Sequence, residues 1–297
     1  MVDVIIVGGG PAGLSAAMLL GRCRRSVILF TTNESRNRWS DGLNGFLTRD
    51  GTHPKEFLLL GRNELQKYEV LVKNVGIVKA RHENNTFTVT DADGQEYQSR
   101  KILLATGLVD QVPKIPGIDE KYGKSVHHCP YCDGWESQDL PLAAYGKGNK
   151  GVGLALSLKT WSDDVILFTN GTNRLSQEER RLLERNGIGV KTKAIERLEG
   201  EGSKLERIVL KGGEEVERQA MFFSTGTNQH SRLGSELGCE FTSKGVVRTR
   251  NQQQTNVPGL FVAGDSSRDV QLVIVAAAEG TKAGVAINME LQQEDRK

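Results

Sequence analysis

The chain opens with a short apolar run, Asp3-Val4-Ile5-Ile6-Val7, then a glycine-rich stretch over 8–13, then residues 14–23, where apolar side chains recur at helical spacing. A second apolar run, Ser26 to Thr31, follows at once. This pattern predicts strand, glycine loop, amphipathic helix and strand within about thirty residues. It returns 138 residues further on, over 142–158 and 164–174. Gly8, Gly10 and Gly13 fall on Gly146, Gly148 and Gly151, Val27 to Thr31 fall on Val165 to Thr169, and Arg36 falls on Arg174. Eleven of the 29 positions from 8 to 36 are identical to their partners without a gap, which is more than shared patterning explains. Two related units are expected.

The rest of the pattern fills in these units. Apolar runs at 101–107, 221–227 and 259–265 each end in small residues and glycine, as strands do where a loop must approach a ligand. Residues 85–98 and 204–217 alternate apolar and polar positions around Asp-Gly and Gly-Gly, the mark of a hairpin. The apolar stretch 270–288 carries Glu279 and Lys282, so it reads as a buried helix and not as a membrane span. Two prolines in 111–117 interrupt the pattern and place the start of the second unit there. The expectation is an α/β protein with two Rossmann-like, three-layer dinucleotide-binding domains. The first is discontinuous, 1–112 with 245–297, and the second spans 113–244.

Composition adds mainly exclusions. A formal net charge of +2 in 297 residues, with no long basic block, calls for neither nucleic acid nor an anionic membrane as partner. The N-terminal apolar run lacks the basic segment, h-region and cleavage site of a secretory signal, so a cytoplasmic protein is expected. Four cysteines, Cys23, Cys129, Cys132 and Cys239, are too few and scattered for a disulfide scaffold.

The glycine loops carry the first candidate chemistry. In G-x-G-x-x-G between strand and helix, Gly8 makes the turn, Gly10 admits a pyrophosphate to the backbone and Gly13 lets helix pack on strand. Pro11 and Ala12 share that loop. Gly146, Gly148, Asn149, Lys150 and Gly151, with Thr169 and Arg174, are the corresponding candidates in the second unit. The plainer reading of the second loop is that its glycines serve the turn and the packing alone.

The pair Cys129-Pro130-Tyr131-Cys132 carries the second. Zinc would need two further ligands, with only His127 or His128 close by. A permanent bond would close too small a loop to stabilise the chain much. Reversible thiol–disulfide exchange needs a titratable group beside the pair, and Asp133 is the candidate acid and base. Adjacent histidines on a strand point to opposite faces, so one of His127 and His128 at most reaches the pair. Cys23 and Cys239 read as buried small residues.

With Ala105-Thr106-Gly107, C-x-x-C-D-G at 129–134, a second glycine loop directly after it, and Gly264-Asp265, the order of motifs resembles the low-molecular-weight thioredoxin reductases over nearly the whole chain. The resemblance implies a FAD-dependent disulfide oxidoreductase. FAD would lie on the first domain, with Gly8, Gly10, Ala12 and Gly13 at the pyrophosphate and Thr106 and Gly107 lining the site. Gly264 and Asp265 would lie near ribitol or phosphate, and Gln271 near the flavin ring at the start of a helix over 270–278. It further implies that Cys132 meets the flavin, that Cys129 attacks the external disulfide, and that the protein is a homodimer. A thioredoxin-like protein or a small dithiol would be the substrate.

Three departures from that family stand out. The second strand runs on as Thr31-Thr32-Asn33-Glu34 without the usual acidic residue for ribose, leaving Glu34, or Asn33 and Asn37, to serve. The cluster of basic residues that holds the NADPH 2′-phosphate is reduced to Arg174, and Val152-Gly153-Leu154 replaces the glutamates beyond the second glycine loop. These point away from NADPH as donor and towards ferredoxin-linked flavin reductases or oxygen-dependent dithiol oxidases. The close repeat allows a second FAD or a nicotinamide dinucleotide in the second domain. An NAD(P)H-dependent thioredoxin reductase and a non-enzymatic flavin-binding redox sensor are the other readings.

Overall fold

The computed structural model describes residues 1–171, 174–267 and 270–296. The chain divides into two compact units: 1–38, 45–109 and 228–297 form the first, 39–44 and 110–227 the second.

In the first unit the strand Val2–Val7 lies between Val27–Phe30 and Glu96–Leu104, all parallel, with Leu71–Lys73 beyond Val27–Phe30. Leu260–Val262 also pairs in parallel with Glu96–Leu104, and antiparallel Thr86–Asp91 and Ile77–Glu83 extend the other side. Residues 4–7, 27–30 and 102–104 are apolar at every position because both faces of the sheet are covered there. Alternate residues point to opposite sides. Val4, Ile6, Val27, Leu29, Leu103 and Phe261 join the helical side of the core. Ile5, Val7, Ile28, Phe30, Leu104 and Val262 join the other. Each such side chain, fully buried, contributes roughly 1.5–3 kcal/mol.

The helices Pro11–Arg22 and Val273–Asp295 meet through small residues. A Cβ on Gly280 would stand 1.9 Å from the Ala12 carbonyl oxygen, so only glycine permits this approach. Glu279, which interrupts the apolar run in the sequence, is buried and accepts a hydrogen bond from the Gly264 N–H at 2.9 Å. The helix begins at Val273, with Leu272 as N-cap, three residues later than the expected start at 270. The chain rejoins this unit at Asn228, ahead of the 244/245 boundary expected from sequence. The reason is that Leu233, Leu237 and Cys239 complete the second side of the core. Cys239 is buried, whereas Cys23, expected inside, is exposed: it caps the C-terminal end of the first helix.

The second unit repeats the plan. Its parallel sheet runs Gly189–Lys191, Val165–Phe168, Leu142–Tyr145, Ala220–Phe223, Val126–His127. Leu142, Ala144, Val165, Leu167 and Phe222 pack against the helix Gly148–Leu158 on one side. Ala143, Tyr145, Phe168, Met221 and Phe223 face the three-stranded antiparallel sheet 195–217 on the other. The helix Gln177–Arg185 starts with a capping box between Ser176 and Glu179, worth about 1 kcal/mol. Both expected hairpins form. No helix among the described residues is long and apolar enough to cross a membrane.

Candidate active site

Register places the first unit's candidate residues together. Val7 is opposite both Phe30 and Leu104, and Leu104 is opposite Val262. The parallel strands therefore end level, and Gly8, Thr31, Thr106–Gly107 and Gly264–Asp265 leave the sheet at one carboxyl edge, where ligands bind open α/β sheets. Gly8, at φ +115°, turns beneath Ala105, where a Cβ would collide with the carbonyl. Gly13 packs on the Gly8 carbonyl, a Cβ there being 1.8 Å away. Gly10, by contrast, has open space where its Cβ would stand. It is the N-cap of Pro11–Arg22, makes no side-chain cap, and is followed by proline at the first helical position. The loop thus offers bare backbone and a helix N-terminus to an anion, which fits the pyrophosphate of FAD. Asp265 and Gln271 are brought together by Arg36, whose guanidinium donates to the Asp265 carboxylate at 2.8 Å and to the Gln271 side-chain oxygen at 2.6 Å. Arg36 emerged from sequence only as a matched position of the repeat. Asn33 has φ 65°, its N–H donates to Thr31 Oγ1 at 3.1 Å, and its amide meets Asn74. Asn37 is half-buried and Glu34 exposed.

The second glycine loop reproduces much of this cradle. Gly146 N–H donates to the Phe168 carbonyl as Gly8 N–H donates to that of Phe30. Thr169 N–H donates to the Lys191 carbonyl as Thr31 N–H does to that of Lys73. Gly151 packs against Gly146, and Gly148 has open space around it, matching Gly13 and Gly10. The turn itself differs: Lys147 is the helix N-cap and Gly148 has φ +53°. Asn149 and Lys150 lie in the first turn of that helix, exposed, and Arg174 is exposed after the strand. Thr172 and Asn173 of the same segment lie outside the described residues.

Cys129 and Cys132 are joined by a disulfide with Cα atoms 5.3 Å apart. Val126–His127 pairs with Met221–Phe222, so the chain leaves the same carboxyl edge as the second glycine loop and enters the short helix Pro130–Asp133 with Cys129 as N-cap. The N–H groups of Cys132 and Asp133 both donate to the Cys129 carbonyl, which closes the turn around the bond. Asn44, which sequence reasoning passed over, donates its side-chain amide to the Cys132 carbonyl at 2.9 Å. No motif marks it. Its contact is made by tertiary packing of 39–44 into this unit.

Asp133, the last residue of the helix Pro130–Asp133, is largely buried, and burial, reinforced by the neighbouring Glu136, pushes its carboxyl up to about 7. The two histidines separate to opposite faces. His127 is buried against Phe222, its Nδ1 3.5 Å from Asp133 Oδ1, and burial, with the adjacent His128, lowers it to about 4. Between about pH 4 and 7 the two are therefore a neutral acid beside a neutral imidazole and not an ion pair. His128 turns towards Asp110, 3.7 Å away, and the Tyr122 hydroxyl, which donates to Asp110 at 2.8 Å. Tyr131 and Trp135 stand exposed beside the disulfide.

Residues 2–280 match the model of the pyridine nucleotide-disulphide oxidoreductase family. A probable thioredoxin reductase of Arthroderma benhamiae is 33% identical over 98% of this chain and 81% of its own length. Thioredoxin reductase tcpT of Claviceps purpurea is 31% identical over 98% and 94%. The crystal structure of HlmI superposes with a TM-score of 0.94 at 34% identity, covering 99% of this chain and 93% of that one. Two parallel-sheet units, a bare glycine cradle and a cysteine pair placed just ahead of the second glycine loop agree with these likenesses, and the chain belongs to the pyridine nucleotide-disulphide oxidoreductase family as a thioredoxin-reductase-like flavin disulfide oxidoreductase.

Proposed function

We propose that the protein is a FAD-dependent thiol–disulfide oxidoreductase whose redox pair is Cys129–Cys132 and whose electron donor is not NADPH. The observation that carries the first part is a C-x-x-C disulfide with a largely buried carboxyl, pushed up to about 7, next in the chain to Cys132. When bound, FAD supplies two-electron redox chemistry to that pair. The first glycine loop, Thr106, Gly107, Gly264, Asp265 and Gln271 hold it. Cys129 is the sulfur that exchanges with an external dithiol or thioredoxin-type disulfide, Cys132 the sulfur that would pass electrons to or from the cofactor, and Asp133 the acid that meets the leaving thiolate. Relatives named as thioredoxin reductases support a protein disulfide as substrate, and a homodimer is proposed from the family resemblance alone.

The second part rests on what the second glycine loop lacks. Arg174 stands where several cations would be needed to grip a 2′-phosphate, and Val152-Gly153-Leu154 presents no polar side chain beyond the turn. The cradle of Gly146, Gly148 and Gly151 is nonetheless open to a pyrophosphate, which favours a second adenine dinucleotide, FAD included, on this unit. The test is to denature the purified holoenzyme, measure FAD released per chain, and add NADPH, NADH or a small dithiol anaerobically while following the flavin absorbance. Two FAD per chain, with bleaching by dithiol and none by NADPH, is the expected result. One FAD bleached rapidly by NADPH overturns the donor assignment and restores an NADPH-dependent thioredoxin reductase. Reoxidation of the dithiol-reduced enzyme by oxygen, with turnover, would make it a dithiol oxidase, and a reduced ferredoxin as sole effective donor would make it a ferredoxin-linked reductase.

A further inference from the structure

His127 is the one buried imidazole near the disulfide, and two observations single it out. Its Nδ1 is buried without a hydrogen-bond partner, a costly state for a polar atom unless a donor is supplied in some form of the site. That atom also lies 3.5 Å from Asp133 Oδ1. Phe222 packs on the ring and Lys124 meets it through its backbone, so the imidazole is held in this orientation.

We propose that His127 is the positioning residue for the Asp133 proton: with its own hydrogen on Nε2, the ring offers Nδ1 to the protonated carboxyl and so keeps the acid loaded beside the cysteine pair. The inference rests on Asp133 being the acid of the exchange. An acid buried with a neutral acceptor keeps its proton, because hydrogen bonding to the neutral form opposes ionisation. Burial raises the carboxyl and lowers the imidazole, in agreement with a single proton residing on Asp133.

An incoming thiolate forms a bond to Cys129 Sγ, the Cys129–Cys132 bond breaks, and its electron pair goes to Cys132 Sγ. Asp133 gives that sulfur its proton and becomes a carboxylate, which takes a proton back from water and returns it to the hydrogen bond with His127. His128 has no part in this, since it faces Asp110 and Tyr122 on the other side of the strand. The other groups acting on the pair are Glu136, which opposes ionisation of Asp133, and His128 and Asp41, which act on His127. Asp41 is itself paired with Lys124.

The test uses holoenzyme and dithiothreitol, following the pH dependence of exchange at the disulfide by acid quench and thiol alkylation. His127→Phe keeps a ring against Phe222 and removes the acceptor. Its midpoint for the Asp133-dependent limb should fall by roughly half to one pH unit, the worth of one neutral hydrogen bond. His127→Gln, which restores an acceptor oxygen, should return the midpoint towards wild type. A midpoint that stays put or rises in a folded His127→Phe protein overturns the proposal. An ion pair would give the rise, and a purely packing role no change. Asp133→Asn separates the two ideas: if the limb survives in that variant, the assignment of Asp133 as the acid is what fails. Should His127→Phe not fold, the infrared carboxyl stretch of Asp133, identified by its loss in Asp133→Asn, decides the matter. A hydrogen-bonded acid band supports the proposal, and a free-acid band in wild type overturns it.

Discussion

Asp133 stores a pH dependence in the fold as well as in the chemistry. Its carboxyl titrates near 7 in the native protein and near 3.9 in an unfolded chain. As pH rises from about 4 to 7 the unfolded chain releases a proton that the native state retains, so native stability falls across that window and levels off above it. His127 acts in the opposite sense: held to about 4 when folded, against about 6.5 unfolded, it costs stability as pH falls from 6.5 towards 4. Asp133→Asn should therefore stabilise the protein at pH 8 by about 2–4 kcal/mol and by much less at pH 4.5, measured by urea denaturation. Equal effects at both pH values would show that the carboxyl is not perturbed. In exchange assays the same variant should slow disulfide opening by roughly 10²–10⁴-fold, the usual worth of a positioned proton donor.

At the level of elements, glycines that look alike in the sequence serve different ends. Gly13 and Gly280 are packing glycines, each with a carbonyl where a Cβ would go. Alanine at Gly280 should cost at least about 2 kcal/mol, because the two helices must move apart or distort. Alanine at Gly10 meets no protein atom and should cost within about 1 kcal/mol, yet it fills the space a pyrophosphate needs. Gel filtration should then show Gly10→Ala folded but stripped of flavin, and Gly280→Ala flavin-bound but melting early. Flavin retained by Gly10→Ala would remove that loop from the cofactor site.

On the scale of the whole molecule, each unit ends its parallel strands level and sets a glycine loop at the carboxyl edge, and the second unit adds the disulfide to that edge. Hydrogen exchange by mass spectrometry reads both loops in one experiment. FAD should protect the amides of residues 10 and 12–14 in the first unit, and, if the second cradle is filled by the same kind of ligand, those of 148–152 as well. NADPH should add no protection at 148–152. Protection there by NADPH but not by FAD would assign that loop to the nicotinamide nucleotide.

The repeat, the element types, both hairpins, the two glycine loops and the cysteine pair could all be read from the chain, because each is written in residues close in sequence: apolar runs of strand length, glycine at fixed offsets, two cysteines one turn apart. A parallel strand buried on both sides must be apolar throughout, and a loop that meets a phosphate must lose its side chains. What folding alone decided lies between distant residues. Arg36 finds Asp265 and Gln271, Asn44 finds the Cys132 carbonyl, and Glu279 finds the Gly264 N–H, each across a separation that no local pattern records. The same holds for the two histidines. Their sequence placed them on opposite faces of a strand, but which of them meets Asp133 depends on the path of the chain after the strand, which leaves His127 buried beside the acid and turns His128 towards Asp110.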